Sequence, residues 1–271
     1  MNWRAKSVVI TGASSGIGEA LAKAFAARGA NVTMGARRTD KLQHIAKQIN
    51  SAAGGRATFT TTDVTDPESC RALVETAVRE FGGIDVLVCN AGVSMRALFD
   101  EVDLEVLHRS MDTNFWGTVY TTKAALPHIQ RSRGTIVGIS SVAGLHGLPC
   151  RTGYSASKYA MTGFLETLRI ENLKKGVHVM IACPGFTATE VRLHSMMADG
   201  SEQGRSPRNE GRMMSADEVA GRIIRGIEHR RRLLTMEYEG RLTLLLKPVA
   251  TRLLDKIYYR EMAAESDSPL R

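Results

Sequence analysis

The stretch Val8-Val9-Ile10-Thr11-Gly12-Ala13-Ser14-Ser15-Gly16-Ile17-Gly18 decides the reading of the fold. Three apolar residues in succession, with no polar residue between them, mark a strand buried on both faces. The glycines end that strand, and Glu19 to Arg28 then reads as a helix stopped by Gly29. Glycine lets the backbone turn tightly and approach a bulky anion, while a helix N-terminus offers free N–H donors and the positive end of its dipole. Between a first strand and a first helix, the spacing G-x-x-x-G-x-G of Gly12, Gly16 and Gly18 predicts a pyrophosphate cradle, with Ser14, Ser15 and Ile17 inside it. A purely structural turn is the competing reading.

Outward from this turn, short apolar runs alternate with helix-periodic segments. Strands are predicted at Asn31–Ala36, Thr58–Thr61, Ile84–Val88, Thr135–Ile139, Val177–Ala182 and Leu233–Met236. Helices are predicted at Lys41–Ile49, from Asp66-Pro67 onward, across Leu104–Ile129, over Ser155–Lys174, and from the capping box Ser215-x-x-Glu218 through Ile227. Such alternation means right-handed crossovers and an α/β, doubly wound parallel sheet covered on both faces. We expect one domain over residues 1–240, with a substrate loop at 190–214, and a helical extension at 241–271. The polar, Gly-containing part of that loop, Met196 to Met213, reads as a mobile segment or lid.

Composition narrows the function. The 271 residues are 43% hydrophobic and 24% charged, as expected of a globular protein, with a net charge of +8. The basic excess reads as surface charge, because no nucleic-acid-reading motif is present and only 6% of residues are aromatic. Cys70, Cys89, Cys150 and Cys183 lie far apart, so no metal site is expected. With a strand beginning almost at Met1 there is no room for a signal peptide, and a cytoplasmic location is the default.

The remaining strand ends carry the chemistry. After the second strand stands Ala36-Arg37-Arg38, where an acidic residue would bind a ribose 2′-hydroxyl. Guanidinium groups there select a 2′-phosphate instead, hence NADP(H). Arg37 is the first choice for that contact, with Arg38 flanking the adenine and Ser14 adding a hydroxyl. Asp63-Val64 suits the adenine amino group, and Asn90-Ala91-Gly92 offers a small surface for the cofactor ribose, although both are also common turn formers. Tyr154 and Lys158 share one helix face, and with Ser141 they form an acid–base constellation. A neighbouring ammonium lowers a phenol's pKa, so Tyr154 is expected to exchange a proton with a substrate oxygen that Ser141 holds, while Lys158 grips the nicotinamide ribose. Asn114 is an ill-suited helix-interior residue, which points to a polar task such as holding a water for a proton relay, or to a kink or cap. Pro184-Gly185-Phe186-Thr187-Ala188-Thr189 follows a strand, and Thr187 is placed to bond a carboxamide.

Together, TGASSGIG at residues 11–18, Asn90-Ala91-Gly92, Asn114, Ser141, Tyr154-x-x-x-Lys158 and Pro184-Gly185 resemble the short-chain dehydrogenase/reductase family, in its order. The resemblance implies a Rossmann-type fold and metal-free hydride transfer, with Asn114, Ser141, Tyr154 and Lys158 as the catalytic tetrad. It implies cofactor contacts from the residues named above, Tyr154, Lys158, Pro184, Gly185, Thr187 and Thr189 among them, and a homodimer or homotetramer. More loosely, the chain resembles NADP(H)-preferring members that act on steroids, sphingoid ketones and other lipophilic ketones. An apolar substrate wall from Leu145, Leu148, Phe186, Leu193, Met196 and Met197 fits that expectation. A non-catalytic NADP(H)-binding regulator is the alternative, and would typically lack Ser141, Tyr154 or Lys158.

In the extension, Leu242, Leu245, Leu246, Val249, Leu253 and Ile257 recur at helical spacing among Arg241, Lys247, Arg252, Lys256 and Arg260, with Pro248 as a break. This predicts helices that pack on their own domain or a second subunit, or a basic amphipathic face over 241–260 that lies on an anionic membrane. Residues beyond Met262 are expected to fray.

Overall fold

The alternation of buried strands and amphipathic helices produces an all-parallel sheet in the computed structural model, which describes residues 2–207, 211 and 213–271, without the Glu239 side chain. The strands are β1 (Ser7–Thr11), β2 (Asn31–Ala36), β3 (Ala57–Thr61), β4 (Val86–Cys89), β5 (Thr135–Ile139) and β6 (His178–Cys183), then the short β7 (Thr187–Ala188) and β8 (Met214–Ser215), and β9 (Leu233–Thr235). The main sheet has seven strands in the order β3-β2-β1-β4-β5-β6-β9, while β7 and β8 pair separately. Connections from β1 run outward to β2 and β3 on one side and to β4 and β5 on the other. A crevice therefore opens where the order reverses, at the C-terminal ends of β1 and β4.

Helices α1 (Gly16–Ala27), α2 (Thr39–Ser51), α3 (Pro67–Phe81), α4 (Leu104–Met111), α5 (Gly117–Ser132), α6 (Thr152–Glu171) and α7 (Ala216–Glu228) cover both faces. Side chains alternate across a strand, so neighbours in β1 enter opposite cores. Val8 and Ile10 pack with Leu21 and Phe25 of α1, Leu42 and Ile45 of α2, and Ile223 of α7. Val9 packs with Leu73 of α3, Ile129 of α5, and Met161 and Leu165 of α6. Each such fully buried side chain contributes about 1.5–3 kcal/mol of transfer free energy. The expected helix starts are present. Asp66 accepts from the backbone of Glu68 and Ser69 ahead of α3, and Ser215 and Glu218 form a reciprocal capping box on α7.

Three segments differ from expectation. Leu104–Ile129 is interrupted: α4 passes through a π-helical turn, Asp112–Trp116, before α5. The loop after β6 is anchored rather than free at its start. Met196 is buried, and its backbone pairs with Ser94 and Arg96. Of the expected lid, residues 208–210 and 212 lie outside the described residues. The C-terminus does not fray at Met262. After α8 (Tyr238–Leu246) and α9 (Thr251–Ala263), Glu265 and Ser268 are buried, because the Glu265 carboxylate reaches two arginines and Ser268 bonds the Met262 carbonyl. The inner face of α9 sets Leu254 and Tyr258 against Val142, Ala143 and Leu148. Among the described residues no helix is long and apolar enough to cross a membrane.

Candidate functional site

A cavity of about 490 Å³ occupies the crevice and runs from the β1–α1 turn to the C-terminal helices. At one end, Gly12 and Gly16 adopt φ of 65° and 55°, the left-handed region that glycine tolerates. Gly12, Ser14, Ser15, Gly16 and Ile17 line the cavity. Gly18 does not line it and packs beneath, where a Cβ would come 2.3 Å from the Gly12 carbonyl oxygen. The turn is braced from β4. Asn90 Nδ2 donates to the carbonyls of Thr11 (3.0 Å) and Gly12 (3.1 Å), and Thr11 Oγ1 accepts from the backbone of Asn90 and Ala91. Asn90 is thus a strut as well as a lining residue, beside Ala91 and Gly92.

Beside the glycine turn the crevice is cationic. Arg37 is exposed on the rim, whereas Arg38 turns inward. Arg38 donates through Nε to Ser14 Oγ (3.2 Å) and through one terminal nitrogen to Ser15 Oγ, so Ser15 caps the guanidinium rather than α1. Asp63 and Val64 line the same end, with the Asp63 carboxylate accepting from Thr65 (3.0 Å from its backbone nitrogen).

At the opposite end, Ser141, Tyr154 and Lys158 converge. Ser141 caps the short turn after β5 and accepts from the Ala143 backbone (3.2 Å). Its hydroxyl also faces that of Tyr154 across the cavity wall. Burial pushes the Tyr154 phenol above its ordinary pKa, against the fall expected from sequence; the nearby Ser141 hydroxyl and the Arg151 charge pull the other way. Lys158 is only 4% exposed. Its Nζ lies 5.8 Å from the Tyr154 ring centroid and donates to the Ile139 carbonyl (2.8 Å). Burial brings its pKa down to about 8, partly offset by the Cys183 and Cys89 thiols.

Asn114, fully buried in the π-helical turn, does not line the cavity. Its Oδ1 accepts from Val93 N (2.8 Å), and Nδ2 donates to Val93 O (3.0 Å) and Ser157 Oγ (2.9 Å). Ser157 in turn donates to the Tyr154 carbonyl (2.8 Å). The turn widens the helix enough to deliver this amide to a neighbouring backbone, a frequent use of π-bulges. Gly92 sits between Asn114 and Lys158: a Cβ there would lie 2.9 Å from Asn114 Oδ1 and 3.4 Å from Lys158 Nζ.

The loop after β6 closes one side. Pro184, Gly185, Thr187 and Thr189 line the cavity, and Thr187 Oγ1 donates to the Gly185 carbonyl (3.2 Å). Of the expected apolar wall, Leu148, Phe186 and Met196 reach the cavity; Leu145 is buried in the core, and Leu193 and Met197 do not line it. Sequence reading missed Arg151, Glu190, Tyr258 and Glu265, which also line it. Glu265 Oε1 lies 3.0 Å from an Arg151 nitrogen, and Oε2 3.3 Å from Arg96. Nothing in the local pattern of Arg151, Glu190 and Glu265 separates them from solvated surface charges.

This geometry agrees with the comparisons. The family model for short chain dehydrogenases matches residues 6–198. The 11-beta-hydroxysteroid dehydrogenase 1A of Arabidopsis thaliana is 35% identical, over 94% of this chain and 74% of that one. Dehydrogenase/reductase SDR family member 7B of Mus musculus is 31% identical, over 96% and 80%. Among solved structures, an alcohol dehydrogenase from the archaeon Thermococcus sibiricus, complexed with 5-hydroxy-NADP, superposes with a TM-score of 0.72 at 28% identity, covering 85% of this chain and 94% of that one. The chain belongs to the short-chain dehydrogenase/reductase family, carbonyl–alcohol oxidoreductases that use a nicotinamide cofactor.

Proposed function

We propose that the protein interconverts a ketone or aldehyde with the corresponding alcohol on a lipophilic substrate, of steroid-like, sphingoid or acyl-ketone type, using NADP(H). The observation that carries the reading is the joining, in one cavity, of Ser141, Tyr154 and Lys158 with a glycine turn whose far rim is cationic. The donor set suits NADP(H): Gly12 and Gly16 line the cavity with bare backbone at positive φ, and Arg37 and Arg38 stand where a 2′-phosphate needs opposite charge. When bound, the cofactor supplies or accepts the hydride at the substrate carbon.

In reduction the Tyr154 hydroxyl donates its proton to the substrate oxygen, and in oxidation its phenolate takes the proton back. Ser141 holds that oxygen by a hydrogen bond. Lys158 supplies positive charge that makes the phenolate accessible, and serves the ribose of the cofactor. Both Asn114 Nδ2 hydrogens are committed to Val93 and Ser157, so only a lone pair on Oδ1 remains to serve a relay toward Lys158. Leu148, Phe186, Met196 and Tyr258 favour an apolar substrate body.

The reading also takes the enzyme as a cytoplasmic homo-oligomer, in keeping with four buried free thiols and an exposed Trp116 stacked on the half-buried Tyr120. Leu245, Val249, Leu253 and Ile257 face outward on α8–α9 beside exposed Arg252, Lys256 and Arg260, which favours peripheral contact with an anionic membrane. Co-sedimentation with phosphatidylserine vesicles tests this. Absence of binding, or a dimer that buries the face, removes it.

The cofactor assignment is tested by fluorescence titration of NADPH and NADH. We expect tighter NADPH binding, and loss of that preference by about 10-fold or more in Arg38→Ala. A smaller loss is expected in Arg37→Ala, because Arg37 stands on the exposed rim. Equal binding of the two nucleotides by the unaltered protein refutes the NADP(H) reading.

A further inference from the structure

Glu190 belongs to the loop after β6, in a short 3-10 turn, Glu190–Arg192, yet its carboxylate reaches across the crevice. Oε2 lies 3.0 Å from Arg38 NH1, and Oε1 lies 3.3 Å from Lys41 Nζ on α2. The same Arg38 holds Ser14 and Ser15 of the glycine turn. Three separate segments are thereby tied into one ring over the adenosine end of the cavity. The residue before Glu190 reinforces the tie: a Cβ on Gly16 would meet the Thr189 methyl at 3.1 Å, so the loop rests directly on the glycine turn. The hydrogen bond from Arg38 holds the Glu190 carboxyl below the usual carboxylate range, which keeps it anionic at neutral pH. Yet the three side chains are 38%, 42% and 41% exposed for Arg38, Glu190 and Lys41, so each contact is weak and exchangeable.

We propose that Glu190 is a specificity-determining residue for the cofactor: its carboxylate occupies the Arg38–Lys41 cation pair, and a phosphomonoester on the adenosine ribose is the group that displaces it. The inference rests on the NADP(H) reading and adds a competitor within the chain. A phosphomonoester carries up to two charges against one, so it wins the exchange for the guanidinium. An adenosine without that phosphate has nothing to offer the cations, and Glu190 stays in place. Because Glu190 directly follows Thr189 and lies three residues after Thr187, the exchange also unties the substrate side of the cavity from the adenosine side.

Calorimetric titration with adenosine 2′,5′-bisphosphate and with 5′-AMP, on the intact chain, tests this. Glu190→Gln is expected to bind the bisphosphate about 3- to 10-fold tighter while its affinity for 5′-AMP stays within about 2-fold. The control is Glu202→Gln, which removes the same charge from the same cavity at a carboxylate paired with His194, and changes neither affinity. Unchanged or weaker bisphosphate binding by Glu190→Gln overturns the proposal. So does an equal gain for both ligands in both variants, because the effect is then general electrostatics. The underlying cofactor reading fails separately, if the unaltered protein and Arg38→Ala bind the two ligands alike.

Discussion

The two ends of the crevice are built from different physics. At the end proposed to be catalytic, Lys158, Asn114 and Ser157 are buried, and backbone carbonyls hold them: Lys158 on Ile139, Asn114 on Val93, Ser157 on Tyr154. At the end proposed to hold the adenosine, Arg38, Lys41 and Glu190 hold one another through half-exposed charges. Low dielectric and fixed backbone partners preorganise the first set, whereas water and salt screen the second. Proton transfer needs a fixed geometry, and a cofactor site needs to open and close, so the difference matches the work at each end. It also predicts that substitutions at the buried end are costly and those at the exposed end mild.

The largest effect is expected from Tyr154→Phe. It removes one oxygen and leaves the ring packed, so folding and cofactor affinity should be nearly unchanged while turnover falls by about 10²- to 10⁴-fold. Steady-state kinetics on a lipophilic ketone, with circular dichroism as the folding control, measures this. Turnover within a few-fold of the unaltered enzyme would remove Tyr154 from the chemistry and with it the contrast between the ends.

Next comes Glu265→Ala. The Glu265 side chain is 2% exposed between Arg96 at 4% and Arg151 at 11%, and its loss leaves two buried guanidinium charges without their carboxylate. The expected destabilisation is about 3–5 kcal/mol, read from denaturant midpoints. Asp267→Ala, which breaks the Arg205–Asp267 pair at 68% and 60% exposure, should change stability by less than about 1 kcal/mol. Equal effects would mean that burial is not what separates the two kinds of ion pair.

These differences also explain what could be read from the sequence. The sheet is legible because the central strands β1, β4 and β6 are nearly continuous apolar runs and the helices between strands repeat at 3.6 residues, signals that survive without tertiary context. Gly12, Gly16, Tyr154 and Lys158 are legible because spacing along one turn or one helix face fixes them locally, whereas Ser141, on a different element, rests on the family resemblance. The sequence favours Arg37 over Arg38 for the phosphate contact, yet Arg38 is the one turned toward Ser14 and Ser15: adjacent residues of one type differ only in the direction their side chains leave the strand end. Asn114 reads as a misfit in a helix, but its three hydrogen bonds depend on a π-helical turn that periodicity does not encode. Glu190 and Glu265 escaped altogether. Their partners lie 152 and 114 residues away, and a charged residue in a polar segment reads as solvated until the fold brings arginines to it.

The smallest effect is a pH signature of the buried end. Burial brings Lys158 down from 10.5 to about 8. Below about pH 8 the ammonium is charged in folded and unfolded chains alike, and the full burial cost is present. Between about 8 and 10.5 the unfolded chain binds a proton that the folded chain has released, so stability rises with pH across that window. Compared with Lys158→Met, the unaltered protein should therefore gain on the order of 3 kcal/mol at most from the lower to the upper limit. The comparison with the variant matters because the Cys89 and Cys183 thiols, pushed up to about 12, oppose this trend above their ordinary 9.0 in both proteins. Urea unfolding of both proteins at half-unit pH intervals measures the difference. A difference that stays flat from pH 7.5 to 10.5 would mean that Lys158 meets water, and the buried end would then differ from the Arg38–Lys41 end only in sequence.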